Sequence, residues 1–129
     1  DEDTLRSWSS DGRMLSEETY LSGTLDRATY YRPDGEKGAE IIDGKGVRKE
    51  WNEDGKVFRS VSIEKGIRSG ECLLYDETGN VRIRGNYKDG RRHGSWARYD
   101  ESGEETECSS FKAGELVEGE DSFHEFGQG

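Results

Sequence analysis

The stretch Tyr75–Gly94, YDETGNVRIRGNYKDGRRHG, contains the pattern that decides the fold. Tyr75 stands four residues before Gly79, and Tyr87 stands three residues before Gly90. The segment between the two glycines is short, contains β-branched and aromatic residues, and has no proline. Two glycine turns that flank such a segment are typical of a β-hairpin unit.

The same pattern occurs five times along the chain. A first series of glycines is preceded, four residues earlier, by the aromatic residues Trp8, Tyr31, Trp51, Tyr75 and Tyr99. A second series is preceded, three residues earlier, by Tyr20, Ile41, Ile63, Tyr87 and Phe111. Glycines of the first series are 23, 20, 24 and 24 residues apart. Agreement at two independent positions in every copy indicates a true internal repeat.

The residues before the ten glycines predict tight turns. Five of them are Asp, and Asp-Gly is the pair that two-residue type I′ hairpin turns favour, because both central residues need a positive φ. A glycine every 9 to 13 residues also opposes helix formation. The sequence therefore predicts an all-β fold, an elongated antiparallel β-meander of five tandem hairpin repeats with about ten or eleven strands.

The repeat divides the chain into three parts. We expect residues 1–7 to be an N-terminal linker, residues 8–118 to contain the five repeats, and residues 119–129 to form a C-terminal tail or cap. Repeat arrays need terminal caps, so Phe123 and Phe126 are candidates to fold over the last hairpin; an unstructured tail is the alternative. The second copy is two residues short, which predicts an irregular hairpin.

The quoted stretch, with Trp96 and Tyr99 after it, resembles the MORN-repeat variant of bacterial proteins. The resemblance extends from Trp8 to about Glu118 and is strongest in the third to fifth copies. It implies MORN-type hairpin repeats and, through a YwqK-like antitoxin family, an immunity or antitoxin protein. Such a protein would neutralise a cognate toxic effector, an envelope-attacking lipase for example, by direct occlusion.

Strand alternation separates the side chains into two faces. One face is expected to carry a structural ladder of the repeat-defining residues Trp8, Tyr31, Trp51, Tyr75, Tyr99, Tyr20, Ile63, Tyr87 and Phe111. The opposite face combines aromatic and arginine side chains, as interface hot spots do. The candidate partner-binding residues are Phe58, Leu74, Arg82, Arg84, Trp96 and Arg98. Either a foreign partner covers this face, or the chain's own tail or a second copy does.

Charge restricts the class of partner. The 129-residue chain has a net charge of -10, which disfavours nucleic acid and contact with anionic membranes. A basic protein surface would be attracted; alternatively, the acidity only keeps the chain soluble. We expect a monomer or weak self-association when the chain is alone. A scaffold or homo-oligomerising role is the alternative function, and peripheral lipid binding is less favoured.

Residues for catalysis or metal binding are sparse. Neither His93 nor His124 has a second His or Cys at metal-ligand spacing, and no phosphate-binding glycine loop occurs. The sequence thus predicts a non-enzyme without metal or cofactor. In a meander, Cys72 and Cys108 would lie roughly 14 Å apart, beyond the reach of a disulfide. We expect free thiols, or one thiol paired with a partner.

The opening residues, DEDT, would suit a linker that follows a removed signal or lipoprotein segment. On this interpretation the chain is located in the bacterial periplasm. A shortened cytoplasmic chain is the alternative.

Overall fold

The computed structural model describes residues 1–126, in which twelve strands form one antiparallel sheet. The strands are β1 (Glu2–Trp8), β2 (Met14–Leu21), β3 (Thr24–Tyr31), β4 (Lys37–Ile42), β5 (Lys45–Trp51), β6 (Val57–Glu64), β7 (Ile67–Tyr75), β8 (Val81–Lys88), β9 (Arg91–Arg92), β10 (Gly94–Tyr99), β11 (Glu105–Lys112) and β12 (Glu115–Glu118). They pair in chain order, except that β8 contacts both β10 and the two-residue β9. The prediction of an all-β antiparallel meander is confirmed.

Turns on one side of the sheet, the short-turn side, contain only two residues. These turns are Ser22–Gly23, Asp43–Gly44, Lys65–Gly66, Asp89–Gly90 and Ala113–Gly114. Both residues have positive φ, for example 52° at Asp43 and 77° at Gly44, as type I′ turns require. The Gly66 N–H also donates to the Gly44 carbonyl at 2.9 Å, and the Gly44 N–H donates to the Asp26 carbonyl at 2.8 Å. Successive copies are therefore joined through their short turns.

Loops on the opposite side, the long-loop side, all contain five residues: 9–13, 32–36, 52–56, 76–80 and 100–104. The type I′ prediction is wrong here, since Asp11, Asp34 and Asp54 do not have positive φ. Side-chain caps close several of these loops instead. Asp100 Oδ1 accepts hydrogen bonds from the N–H groups of residues 102 and 104, at 2.9 and 3.0 Å.

The pairing register shifts by one residue at the aromatic residue before every long loop. For example, Leu74 pairs with Ile83 but Tyr75 pairs with Val81, which leaves Arg82 as the extra residue. Equivalent extra residues in the other copies are Leu15, Gly38, Phe58 and Thr106. One extra residue reverses the alternation of side chains, so residues on its two sides cannot be assigned to faces by simple counting.

This shift corrects the predicted ladder. The residues before the short turns belong to the core of one face, the inner face, and Ile63, Tyr87 and Phe111 are 2–4% exposed. The aromatic residues before the long loops are more accessible: Trp8 is 55% exposed, and Tyr31, Trp51, Tyr75 and Tyr99 are half-buried. The nine ladder residues thus form two separate rows.

Residues 121–126 pack on the C-terminal half of the inner face. The Phe123 and Phe126 rings lie 5.9 and 5.2 Å from the Trp96 ring, centroid to centroid. Arg92 donates to Asp121 at 2.7 Å and to the Phe123 carbonyl at 2.8 Å. The expected contact of both phenylalanines with the array is therefore present, and residues 127–129 lie outside the described part of the chain.

Two further features depart from simple repetition. Glu2–Trp8 is strand β1, paired with β2, so the expectation of a linker over residues 1–7 is wrong. In the shortened second copy, β4 and β5 share only two residue pairs, and a Cβ at Gly46 would lie 2.3 Å from the Glu40 carbonyl oxygen. The two missing residues are accommodated by this close backbone approach.

Candidate partner-binding surface

The six candidate partner-binding residues do not share a face. Leu74, Trp96 and Arg98 belong to the inner face, because Leu74 pairs with Ile83 and so does Arg98. Trp96 is 0% exposed, so its assignment to an accessible binding face is wrong. The indole packs over Gly85, where a Cβ would lie 2.2 Å from the ring, and the C-terminal segment covers it.

Arg98 and Leu74 differ in accessibility. Arg98 donates to the Ser122 carbonyl, and its guanidinium lies over the Phe123 ring, 4.9 Å from the centroid. It is therefore engaged with the chain's own C-terminal segment. Leu74 is half-buried and lines a cavity of about 450 Å³ beside Phe126, together with Arg59 and other inner-face residues.

Phe58, Arg82 and Arg84 lie elsewhere, toward the long-loop side. Phe58 and Arg82 are extra residues of the register shifts, and bulges of this kind redirect side chains. Arg82 donates to the Tyr99 carbonyl at 2.7 Å, and Arg84 forms an ion pair with Glu71 at 2.5 Å. Arg82 and Arg84 line cavities without core residues, whereas Phe58 also lines a cavity that the buried side chains of Glu18 and Tyr30 reach.

Three cavities follow one another along the long-loop side. They have volumes of about 450, 720 and 310 Å³. The first two share Asn52 and Phe58, and the second and third share Asn80 and Glu101. Neighbouring cavities share lining residues, and we name the surface formed by these three cavities the long-loop groove.

Aromatic side chains line the groove at repeated positions. Trp51 contacts the first cavity, Tyr75 the second and Tyr99 the third. Each of these half-buried residues ends a strand directly before a long loop. In the second copy, Gly38 leaves room for Trp51, because a Cβ there would lie 2.3 Å from the indole. The groove thus has an apolar wall in the third to fifth copies.

The long loops also account for most of the net negative charge. Their 25 residues include ten carboxylates and three cationic side chains, a net charge of -7 in a chain of -10. Three exposed carboxylates, Glu53, Glu77 and Glu101, occupy the second position of successive loops. All three line the groove, and none has an ion-pair partner within residues 1–126. These three glutamates were not among the predicted site residues, although each follows its repeat aromatic by two residues.

Loop carboxylates with a structural role are distinct from these three. Hydrogen bonds from the Thr78 side chain and the Asn80 N–H hold the pKa of Asp76 below its usual range. The pKa of Asp100 is lowered in the same way, first by the Ser102 side chain and then by the Glu104 N–H. Both groups stay ionised as loop caps, so they preserve the shape of the groove as well as its charge.

A buried polar cluster lies at the N-terminal end of the groove. Glu18 is 6% exposed, accepts a hydrogen bond from the Tyr30 hydroxyl at 2.5 Å, and lies 3.3 Å from Arg48 Nε. Burial, together with the nearby carboxylate, raises the pKa of Tyr30. All three side chains line the first cavity, so this end of the groove has a polar floor.

Residues 1–126 contain no cluster of three His, Cys, Asp or Glu side chains arranged to hold a metal ion. Cys72 is buried, Cys108 is exposed, and both are free, as the predicted distance between them required. Burial raises the pKa of the Cys72 thiol to about 11. None of the described helices is long and apolar enough to cross a membrane.

Comparison with known families identifies one repeat. The model of the MORN repeat variant matches residues 68–89, which include most of β7, the following long loop and β8. No curated protein matches the chain. The chain therefore contains a MORN-type repeat, within a sheet in which the same hairpin recurs, and this repeat type indicates a binding or scaffold role.

Proposed function

We propose that this chain is a non-catalytic inhibitor that binds a basic protein through the long-loop groove. One observation carries the proposal: aromatic residues and carboxylates without ion-pair partners recur together along the long-loop groove. Aromatic side chains supply contact area, and carboxylates attract and orient a basic surface. The groove has the composition expected of a protein-binding surface.

The partner that we propose is a toxic effector, and the chain its immunity protein or antitoxin. The resemblance noted from the sequence supports this identity, and the charge of the groove supports a basic surface on the effector. Neutralisation would follow from occlusion, because a partner seated along several loops would lose access to its own substrate. The bacterial periplasm is the proposed setting.

A second candidate function is a scaffold that assembles through its sheet edges. Leu5 on β1 is 57% exposed, and Val117 on β12 is 65% exposed. Each edge strand also has one side without a neighbouring strand among residues 1–126. Unpaired edges can add further strands, so they offer a route to end-to-end self-association. Glu2, Asp3, Glu115 and Glu118 on the same strands oppose it by like-charge repulsion.

The test begins with capture of proteins from the native organism on the immobilised chain. Any stoichiometric partner is then titrated against the purified chain and against a Glu77→Lys/Glu101→Lys variant. We expect the variant to bind at least about tenfold more weakly, because two attractive charges become repulsive. Toxicity of the partner on expression should disappear when the native chain, but not the variant, is co-expressed.

The matched control is Glu115→Lys/Glu118→Lys, which makes the same change in charge on β12, away from the groove. Equal loss of affinity in both variants would show that only net charge matters and would reject the groove. Recovery of no partner, with light scattering showing oligomers of the chain alone, would favour the scaffold.

A further inference from the structure

The repeat distance of the long-loop groove restricts the shape of what can bind along it. Successive copies are separated by two strands, and neighbouring strands lie about 4.8 Å apart, so equivalent residues recur about every 9.6 Å. Trp51, Tyr75 and Tyr99 form one such series, with 24-residue spacing. Glu53, Glu77 and Glu101 form another with the same spacing. Each of the last three copies thus presents one aromatic ring and one carboxylate to the groove, and both series repeat at this distance.

Among regular backbone conformations, a polyproline II helix matches this distance. It has three residues per turn and a rise of about 3.1 Å, so every third side chain points the same way at intervals of about 9.3 Å. In a β-strand, residues three apart point to opposite faces. In an α-helix, one turn advances only about 5.4 Å, so successive turns do not match the groove.

We infer that the long-loop groove binds a basic, proline-rich segment of the partner protein in the polyproline II conformation, with Lys or Arg at every third residue. This inference rests on the proposed function and specifies the part of the partner that is recognised. Aromatic-lined grooves are the usual receptors for such helices. The cationic side chains would pair with Glu53, Glu77 and Glu101, and the prolines would pack on Tyr75 and its equivalents.

Other occupants fit the described residues less well. An acidic segment would be repelled by the net charge of the loops. A partner segment that adds as a β-strand needs an unpaired sheet edge, and those edges belong to β1 and β12, not to the loops. The half-buried tyrosines also give the groove an apolar wall that ionic contacts alone would not need.

The test uses synthetic peptides and the intact chain. A fluorescein-labelled peptide of five Arg-Pro-Pro repeats is compared, by fluorescence anisotropy, with a peptide of the same composition whose arginines alternate between intervals of two and four. We expect the regular peptide to bind at least about fivefold more tightly, since only its charges match all three carboxylates. Equal affinity of the two peptides, or no binding of either at about 1 mM, would overturn the inference.

Variants then locate the site. The Glu53→Gln/Glu77→Gln/Glu101→Gln variant is expected to lose at least about fivefold in affinity for the regular peptide. Glu64→Gln/Glu115→Gln/Glu118→Gln, which removes as many charges elsewhere, should bind as the parent does. Circular dichroism checks that both variants fold, and equal affinity of the two would overturn the inference.

Failure of this inference can be separated from failure of the proposed function. Suppose that neither peptide binds, but the Glu77→Lys/Glu101→Lys variant still loses affinity for the captured partner. The polyproline II segment is then rejected, and the proposal that the groove binds the partner is retained. A partner that binds this charge-reversed variant unchanged would reject both.

Discussion

In the C-terminal half of the inner face, Trp96 packs between the sheet and the rings of Phe123 and Phe126. In the N-terminal half, the buried centre is polar: Glu18 accepts from Tyr30 and contacts Arg48, whose side chain is 45% exposed. The first centre is closed by the chain itself, whereas the second opens into the first cavity of the long-loop groove.

The difference shows that one backbone repeat can support two kinds of centre. An apolar centre gains from burial in proportion to its area but needs a covering segment. A buried carboxylate needs hydrogen bonds and a counter-charge, and it can remain beside a water-filled cavity once these are present. The covered half is therefore suited to stabilising the array, and the open half to contact with other molecules.

The largest expected effect is on the covered half. Trp96→Ala should lower the free energy of unfolding by about 3–5 kcal/mol, because it leaves a large cavity beneath Phe123 and Phe126. Urea unfolding followed by far-ultraviolet circular dichroism measures the change. Trp8→Ala is the matched control: its indole is 55% exposed, and we expect a change below about 1 kcal/mol. Equal losses in the two variants would refute the assignment of Trp96 to the core.

A smaller effect is expected in the open half. Glu18→Leu should cost about 1–3 kcal/mol, since it leaves the buried Tyr30 hydroxyl without its acceptor. Glu18→Gln retains an acceptor and should cost less. Glu17→Gln, which removes a surface ion pair with Arg6, should cost below about 1 kcal/mol. Thermal and urea unfolding measure the stability of the three variants. If Glu18→Leu were as stable as Glu17→Gln, Glu18 would not be the buried acceptor described here.

The smallest effect should appear only at alkaline pH and concerns Tyr87, which contacts Trp96 and Phe126 in the covered half. Burial raises the pKa of Tyr87 to about 12, and its hydroxyl donates to the Phe126 carbonyl at 2.9 Å. The unfolded phenol ionises near its ordinary value of 10.0, so stability is fully present below pH 10 and falls as the pH rises toward 12.

Tyr87→Phe should therefore make the free energy of unfolding less dependent on pH above 10, while Tyr30, whose pKa is also raised, maintains part of the slope. The midpoints of urea unfolding between pH 9 and about 12 measure this pH dependence. An unchanged slope would mean that Tyr87 ionises equally in the folded and unfolded states.

Glycine spacing and repeat aromatics were sufficient to predict the meander and its repeat, because turn chemistry is local. Asp43 and Asp89 were correctly assigned to type I′ turns, but Asp11, Asp34 and Asp54 were not. The same Asp-Gly pair occurs in both kinds of turn, and what separates them is the number of residues between paired strands. That number depends on register, which a dipeptide does not encode.

The faces were harder to predict for the same reason. Counting alternate residues from Tyr75 places Ile83 on the same face as Tyr75 and Trp96 on the opposite face. In the structure, however, Trp96 and Ile83 belong to the same core. The extra residue at Arg82 causes this error, and equivalent extra residues occur in every copy. Residues 121–126 contact Trp96, which lies far from them in the sequence. Local patterns could therefore suggest that the two phenylalanines fold back, but not which residue they contact.

The hydrogen bonds that join successive short turns have a consequence for how such a protein can change over evolutionary time. Outside the strand ladders, the backbone bonds between neighbouring copies involve glycines of the short turns, whereas those of the described long loops are formed within each loop. Substitutions in the long loops can therefore alter the proposed binding surface without breaking these bonds between repeats. Under the proposed function, the short-turn side would preserve the fold while the long loops vary in specificity, much as framework and variable loops do in antibodies.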